Sequence, residues 1–398
     1  MIGKAKTIVR RTLQELAVRV YPRTNFTNGV SCRELGNDGH FFVGYYDIDP
    51  VSTDKKSILC HRVSNYYSSS IEPETGEVGL VSVSSGQFSP LSTTRALNWQ
   101  LGSRVQWLDD QTIIYNNVID GIQCAQARNL NGDVSNYKRP FWAISPDKQI
   151  AASLNFSRIK EKRPGYGYKG VSPDGDKEIL TLYRTEDDEV LYQVELDEAL
   201  GQIGYELPGN VDPYLNHVTW STCSTKFLTL VHYDDPVSKK RTIFPILLDC
   251  NDYSLSPFHS EGVFSHHVWL DHKRLLGFIE VEGEVSFTLW EQGKGWEKLE
   301  NSMPVYDGHP SIIASNDDRI IVDSYPDRLG RMSLYVGSSN PSNTLRHLGV
   351  IMNDPKYNGP LRCDLHPRFS NKTNWVICDA PYTEGRRVLI MEGILDEQ

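Results

Sequence analysis

No cysteine pair is spaced CxxC, no stretch is long and apolar enough to span a membrane, and no GxSxG nucleophile elbow occurs. The seven cysteines (Cys32, Cys60, Cys124, Cys223, Cys250, Cys363 and Cys378) are odd in number and scattered, which argues against a disulfide framework and for a reducing compartment. Positive charge is also short. A formal net charge of -10 argues against nucleic acid as a partner, because that affinity comes mainly from neutralising phosphates with Lys and Arg. Hydrolysis by paired carboxylates finds little support either, since Asp109, Asp110, Asp317 and Asp318 sit in turns.

The exception to the acidity is the N-terminus. Val9, Leu13, Leu16 and Val20 recur at helical spacing among Lys4, Lys6, Arg10, Arg11 and Arg19, with Glu15 the sole acid and Pro22 as the stop. This predicts a basic amphipathic helix within residues 1–24. The basic residues interrupt every apolar run a secretory signal would need, so the expected location is cytoplasmic. Such a helix packs on its own domain or a second subunit, or it attaches residues 1–23 to a protein partner or the inner face of an anionic membrane.

From residue 25 to 398 the text changes to short apolar runs divided by turn residues, and one pattern recurs seven times. The copies open near Phe41, Arg104, Pro140, His217, His266, His309 and His366, each a strand, a polar turn and a second strand. Several successive starts lie 36, 49, 43 and 57 residues apart, the period of a four-stranded propeller blade. A gap of 77 residues between Pro140 and His217 holds SRIKEKRPGYGYKGVSPDGD, read as an inserted loop. The predicted fold is all-β, a single seven-bladed β-propeller behind a short N-terminal helix.

Four repeats open on histidine: His217, His266, His309 and His366. Four at equivalent positions point to a shared metal or anion site; the alternative is four architectural side chains bonding neighbouring strands. Neutral imidazole suits Zn or Mn, and Cys363, three residues before His366, is a candidate thiolate ligand. A second constellation combines His40 and His61 around the GYYD turn, which carries Tyr46, with Arg62 beside His61 and Arg158, Arg163, Tyr166 and Tyr168 in the insertion. Arginine forks hold carboxylates, and Tyr and His move protons.

In order along the chain, GYYD, SPD followed by SLNFSRI and RPGYGY, NHVTW with LVHY, SHHVW, GHPS with DSYPDR, and RCDLHPRF with EGRR resemble the seven-bladed propeller polysaccharide lyases. Closest are the ulvan lyases and relatives that accompany surface-polysaccharide synthesis, with the oligogalacturonate lyases more distant. The resemblance implies β-elimination at a uronic acid of an acidic glycan, in which the C5 proton is removed and the 4-O-linked sugar is expelled. It places the catalytic set on His40, His61, Arg158 and a tyrosine. Phe141 and Trp142 stand where that tyrosine is sought, so the role passes to Tyr168, Tyr166 or Tyr46. Arg62, Arg163 and Arg362 are the further substrate-binding candidates. A divalent metal (Zn, Mn or Ca) is the cofactor to look for, and no organic cofactor is implied. The competing reading is a non-catalytic propeller that binds glycan or protein during surface-polysaccharide assembly.

Overall fold

The computed structural model describes residues 2–64, 75–313 and 318–395, with side chains from Val9 onward; Asp317 lies outside them. Helix α1 spans Ile2–Val20 and ends ahead of Pro22, which cannot continue the hydrogen-bond ladder. The rest is mostly strand, in seven antiparallel sheets that are the blades of a seven-bladed β-propeller. Each of the seven sequence repeats begins a blade.

Two compact units divide the chain. Unit 1 comprises residues 1–94, 98–110 and 299–398. Its blade 1 runs through His40–Phe42, Ser57–Val63, Gly76–Ser82 and Phe88–Thr94. Blade 6 runs through Ser311–Ile312, Arg319–Asp323, Arg331–Ser338 and Arg346–Met352, and Thr24–Phe26 adds an outer fifth strand. Blade 7 has Arg368–Ser370, Trp375–Tyr382 and Gly385–Glu392, and its fourth strand is the N-terminal Ser31–Leu35. Pairing of Cys32 with Met391 and Glu34 with Leu389 ties the two chain ends into one sheet. Alternating apolar residues fill the space between blades 6 and 7, where Ile321, Leu334, Leu348, Val376 and Leu389 are fully buried. Each such side chain stabilises the fold by about 1.5–3 kcal/mol.

Unit 2 comprises residues 95–97 and 111–298. It holds the sheet of Thr112–Ile119, Ile122–Asn129 and Val134–Tyr137, and three complete blades that open at Ala143, Tyr214 and Phe264. The insertion is more ordered than the predicted loop. It opens on helix α2, Phe156–Lys162, capped by Asn155, whose side chain accepts the Arg158 N–H at 3.1 Å. A third helix, α3 (Leu196–Gln202), buries Leu196, Ala199 and Leu200 at helical spacing, too short a pattern to stand out among strands.

The recurrent turns share one device. In STDKK the Ser52 hydroxyl donates to Asp54, which accepts the Lys56 N–H, while Lys55 takes φ 63°. In SPDKQ the Ser145 hydroxyl, Asp147 and Lys148 repeat it. An aspartate bonded to the backbone two residues on makes this corner, as polar turn residues do generally.

Candidate functional site

In unit 1, His309 sits just before the first strand of blade 6, and Asp364 and His366 just before that of blade 7. His309 is buried, and its Nδ1 faces both Asp323 oxygens, at 2.9 and 3.0 Å, while its backbone N–H donates to Asp323 at 2.7 Å. Burial disfavours charge on this imidazole, but the Asp323 carboxylate, with Asp364 and Asp307 beyond, outweighs it and raises the pKa. His366, at φ 45°, donates Nδ1–H to the Gly44 carbonyl at 2.8 Å, and its N–H donates to Asp323 at 3.2 Å. The two rings stand perpendicular, 4.4 Å apart. Arg362 donates Nε–H to Asp364 at 2.8 Å.

Glycines let these strands approach. A Cβ on Gly308 would lie 2.0 Å from the Asp323 carbonyl oxygen, so the Gly of GHPS seats His309 against Asp323. Gly44, at φ 111°, donates its N–H to Asp379 at 3.0 Å and accepts from both His366 and Arg368 through its carbonyl. That is the work of GYYD's glycine. Its aspartate, Asp47, takes a two-pronged bond from the buried Arg104 at 2.8 and 2.7 Å.

The donor set fits a divalent cation. Among the described residues, the ligand atoms of His309, Asp364 and His366 lie within 4.8 Å of one another. Both histidines commit Nδ1–H to an oxygen acceptor, which leaves Nε2 as the lone-pair nitrogen, the arrangement that orients imidazole toward a metal. Two imidazole nitrogens and a carboxylate suit Mn or Zn better than the all-oxygen shell Ca prefers. Of the predicted metal ligands, only His309 and His366 join this group. Cys363 is outside it, its thiol pushed up to about 12 by burial. Asp364, two residues before His366 in RCDLHP, takes its place.

A cavity of about 380 Å3 adjoins the cluster, lined by Arg10, Arg11, Tyr325, Tyr357, Arg362 and Asp364 among others. Tyr325 lies with its ring 5.7 Å from His309, and Tyr46 lies 5.4 and 6.1 Å from the rings of His309 and His366. His40 packs near Tyr357 and Trp99 and accepts the Arg386 N–H at 3.3 Å. Burial, then Arg386, Lys356 and Arg387, lowers its pKa to about 3, so it is neutral.

Other predicted residues serve the framework. His61 is fully buried, with Nδ1 on the Phe42 carbonyl at 3.2 Å and Nε2 accepting the Ser103 N–H at 2.8 Å. With both ring nitrogens engaged and burial lowering its pKa to about 4, His61 holds blade 1 together and offers no lone pair to a substrate. Arg62 pairs with Glu77 and Asp38.

Unit 2 holds the rest. Arg158 is paired with Asp212 and Glu161 and lies 3.7 Å from Glu178. Glu178, which the sequence did not single out, has its pKa raised to about 8 by burial. Tyr168 is buried on Phe156 at 4.5 Å and its hydroxyl accepts from Asn116. Arg163 lies 4.1 Å over the Tyr166 ring. His217 packs on Trp142 at 4.9 Å and His232 at 6.3 Å, and burial followed by Arg163 keeps both histidines neutral. His266 contacts the Ser265 hydroxyl at 3.3 Å.

No protein-family model and no curated protein matches the chain. Among solved structures, the β-propeller domain of the Trilobed protease from Pyrococcus furiosus matches 93% of this chain and 95% of its own at 10% identity, TM-score 0.48. An oligogalacturonate lyase in complex with manganese matches at 9% identity over 85% of this chain and 98% of its own, TM-score 0.40. TolB from Acinetobacter baumannii matches at 12% identity and TM-score 0.39, over 69% of this chain and 59% of its own. At these values the likenesses assign no chemistry to this chain.

Proposed function

We propose that unit 1 carries a lyase site that cleaves a uronic-acid-containing glycan by β-elimination, in a cytoplasmic protein acting on glycans of surface-polysaccharide metabolism. One observation carries the reading: three arginines, Arg10, Arg11 and Arg362, line the cavity that Asp364 of the His309–Asp364–His366 set also lines. An anionic sugar needs that cationic wall, and the C5 proton is removable only once the adjacent carboxylate charge is offset. A divalent cation held by His309, Asp364 and His366 would supply further positive charge at the carboxylate. Asp323 and the Gly44 carbonyl fix the two imidazoles, and Arg362 orients the carboxylate. Tyr325, on the cavity wall, acts as its phenolate and takes the C5 proton; the C4–O bond breaks, its electron pair leaves on the expelled sugar oxygen, that oxygen takes the proton from Tyr325, and a C4=C5 double bond remains.

A binding-only role is favoured by one feature: the positions sought for the family's tyrosine are the buried Phe141 and Trp142, and Tyr168 is committed to Asn116. A single experiment separates the two. Protein loaded with Mn or Zn, mixed with a panel of uronate glycans, shows rising ultraviolet absorbance from the new double bond if it is a lyase. Calorimetric binding with a flat absorbance trace for every glycan overturns the lyase reading in favour of the binding propeller.

A further inference from the structure

Helix α1 rests on unit 1 by the face that carries Arg10, Gln14 and Ala17. Among its described side chains Gln14 and Ala17 are buried and Val18 is half-buried, and Arg10 and Gln14 donate to the carbonyl oxygens of Pro326 and Asp327. Four larger apolar residues lie outside that face. Val9, Leu13, Leu16 and Val20 are 58%, 46%, 53% and 77% exposed, and at 100° per residue they fall in one stripe about 60° wide. Tyr21, 49% exposed, follows them. A helix that only packs on its own domain buries such a stripe; this one turns it outward.

Charge decides between the occupants. The first 23 residues carry six basic side chains and one acidic one, whereas the whole chain is at -10. Arg19 flanks the stripe on one side and Arg10 on the other, and Arg11 is ion-paired with Glu15. Two copies of so basic a helix repel each other when laid side by side. A surface of acidic headgroups attracts the helix and repels the acidic remainder, which orients the molecule as well as binding it.

We propose that helix α1 is a peripheral membrane anchor, lying in the interface of an anionic lipid surface with Val9, Leu13, Leu16 and Val20 among the acyl chains and Arg19 at the headgroups. It holds whether or not the unit 1 cavity is catalytic. It also bears on that cavity, because Arg10 and Arg11 line it from the same helix.

The test is co-sedimentation of the full chain with vesicles of phosphatidylcholine alone or rich in phosphatidylglycerol. The expected result is binding to the acidic vesicles only, weakened when salt is raised from about 0.1 to about 0.5 M, where the screening length shortens about twofold. The double variant Leu13→Asp, Leu16→Asp, whose sites are half-exposed, should lose binding by about tenfold or more while keeping the wild-type melting temperature. Retention of the wild-type chain in the supernatant of both vesicle types overturns the proposal. So does undiminished binding of the variant, or a wild-type dimer in light scattering that the variant loses without any vesicle binding by either protein.

Discussion

His309 and Asp323 are joined twice, through the backbone N–H at 2.7 Å and through the ring Nδ1 at 2.9 and 3.0 Å, with both residues buried. The carboxylate therefore sets position and tautomer together. His366 reaches the same Asp323 through its own N–H, so one acidic side chain aligns both imidazoles.

Asp323→Asn should weaken cation binding by about 10- to 100-fold, because an amide can still accept the backbone bond but no longer stabilises the imidazole as an anion does. Titration calorimetry with Mn or Zn reads it. His366→Ala should abolish binding, and wild-type affinity in either variant would sink the assignment.

Arg362→Ala should raise KM for a uronate glycan by about tenfold or more, since the guanidinium is assigned to the ground-state carboxylate. Tyr325→Phe should instead lower kcat by about 100-fold with KM little changed, as expected of a group that moves a proton. The same split measured with the roles reversed would exchange the two assignments.

His61 yields a pH prediction. Its folded pKa of about 4 lies below the ordinary value of 6.5, so the folded state binds fewer protons between these values than the unfolded state. The stability it contributes is present above pH 6.5 and lost as pH falls toward 4, by about 3 kcal/mol in all. Denaturant titrations across that window should show the fall. His61→Ala should flatten that fall and cost about 2–4 kcal/mol at neutral pH. Gly102→Ala should be comparably harmful, because its Cβ would sit 2.2 Å from the His61 ring at a backbone φ of 59°.

Glu178 acts in the opposite sense. Its folded pKa is raised to about 8, so it remains protonated in the folded protein while the unfolded chain ionises above pH 4.5, and stability drains away between those values. Glu178→Gln keeps an acceptor for the Leu215 N–H and removes the ionisation. It should raise the melting temperature, by a larger margin at pH 8 than at pH 5, and equal gains at both would contradict the assignment.

The seven blades, the N-terminal helix and the open-ended histidine strings were all legible in the chain, because period-two alternation, recurrent Ser-Asp turns and helical spacing are local properties of sequence. RCDLHPRF stands out for the same reason, charged residues where a strand is expected, although the strand itself begins only at Arg368. Which partners was decided by packing. Arg368 reaches Gly44, 324 positions away, and Asp323 joins His309 to His366, which lies 43 residues beyond Asp323. No local pattern encodes such pairings, so sequence could rank four histidines as equals, whereas the fold drew two of them to Asp364 and sealed His61 between main-chain partners. The helix shows the same division. Its amphipathic stripe is written in Val9, Leu13, Leu16 and Val20, but only its seating through Gln14, Ala17 and Arg10 determined that the stripe would face outward.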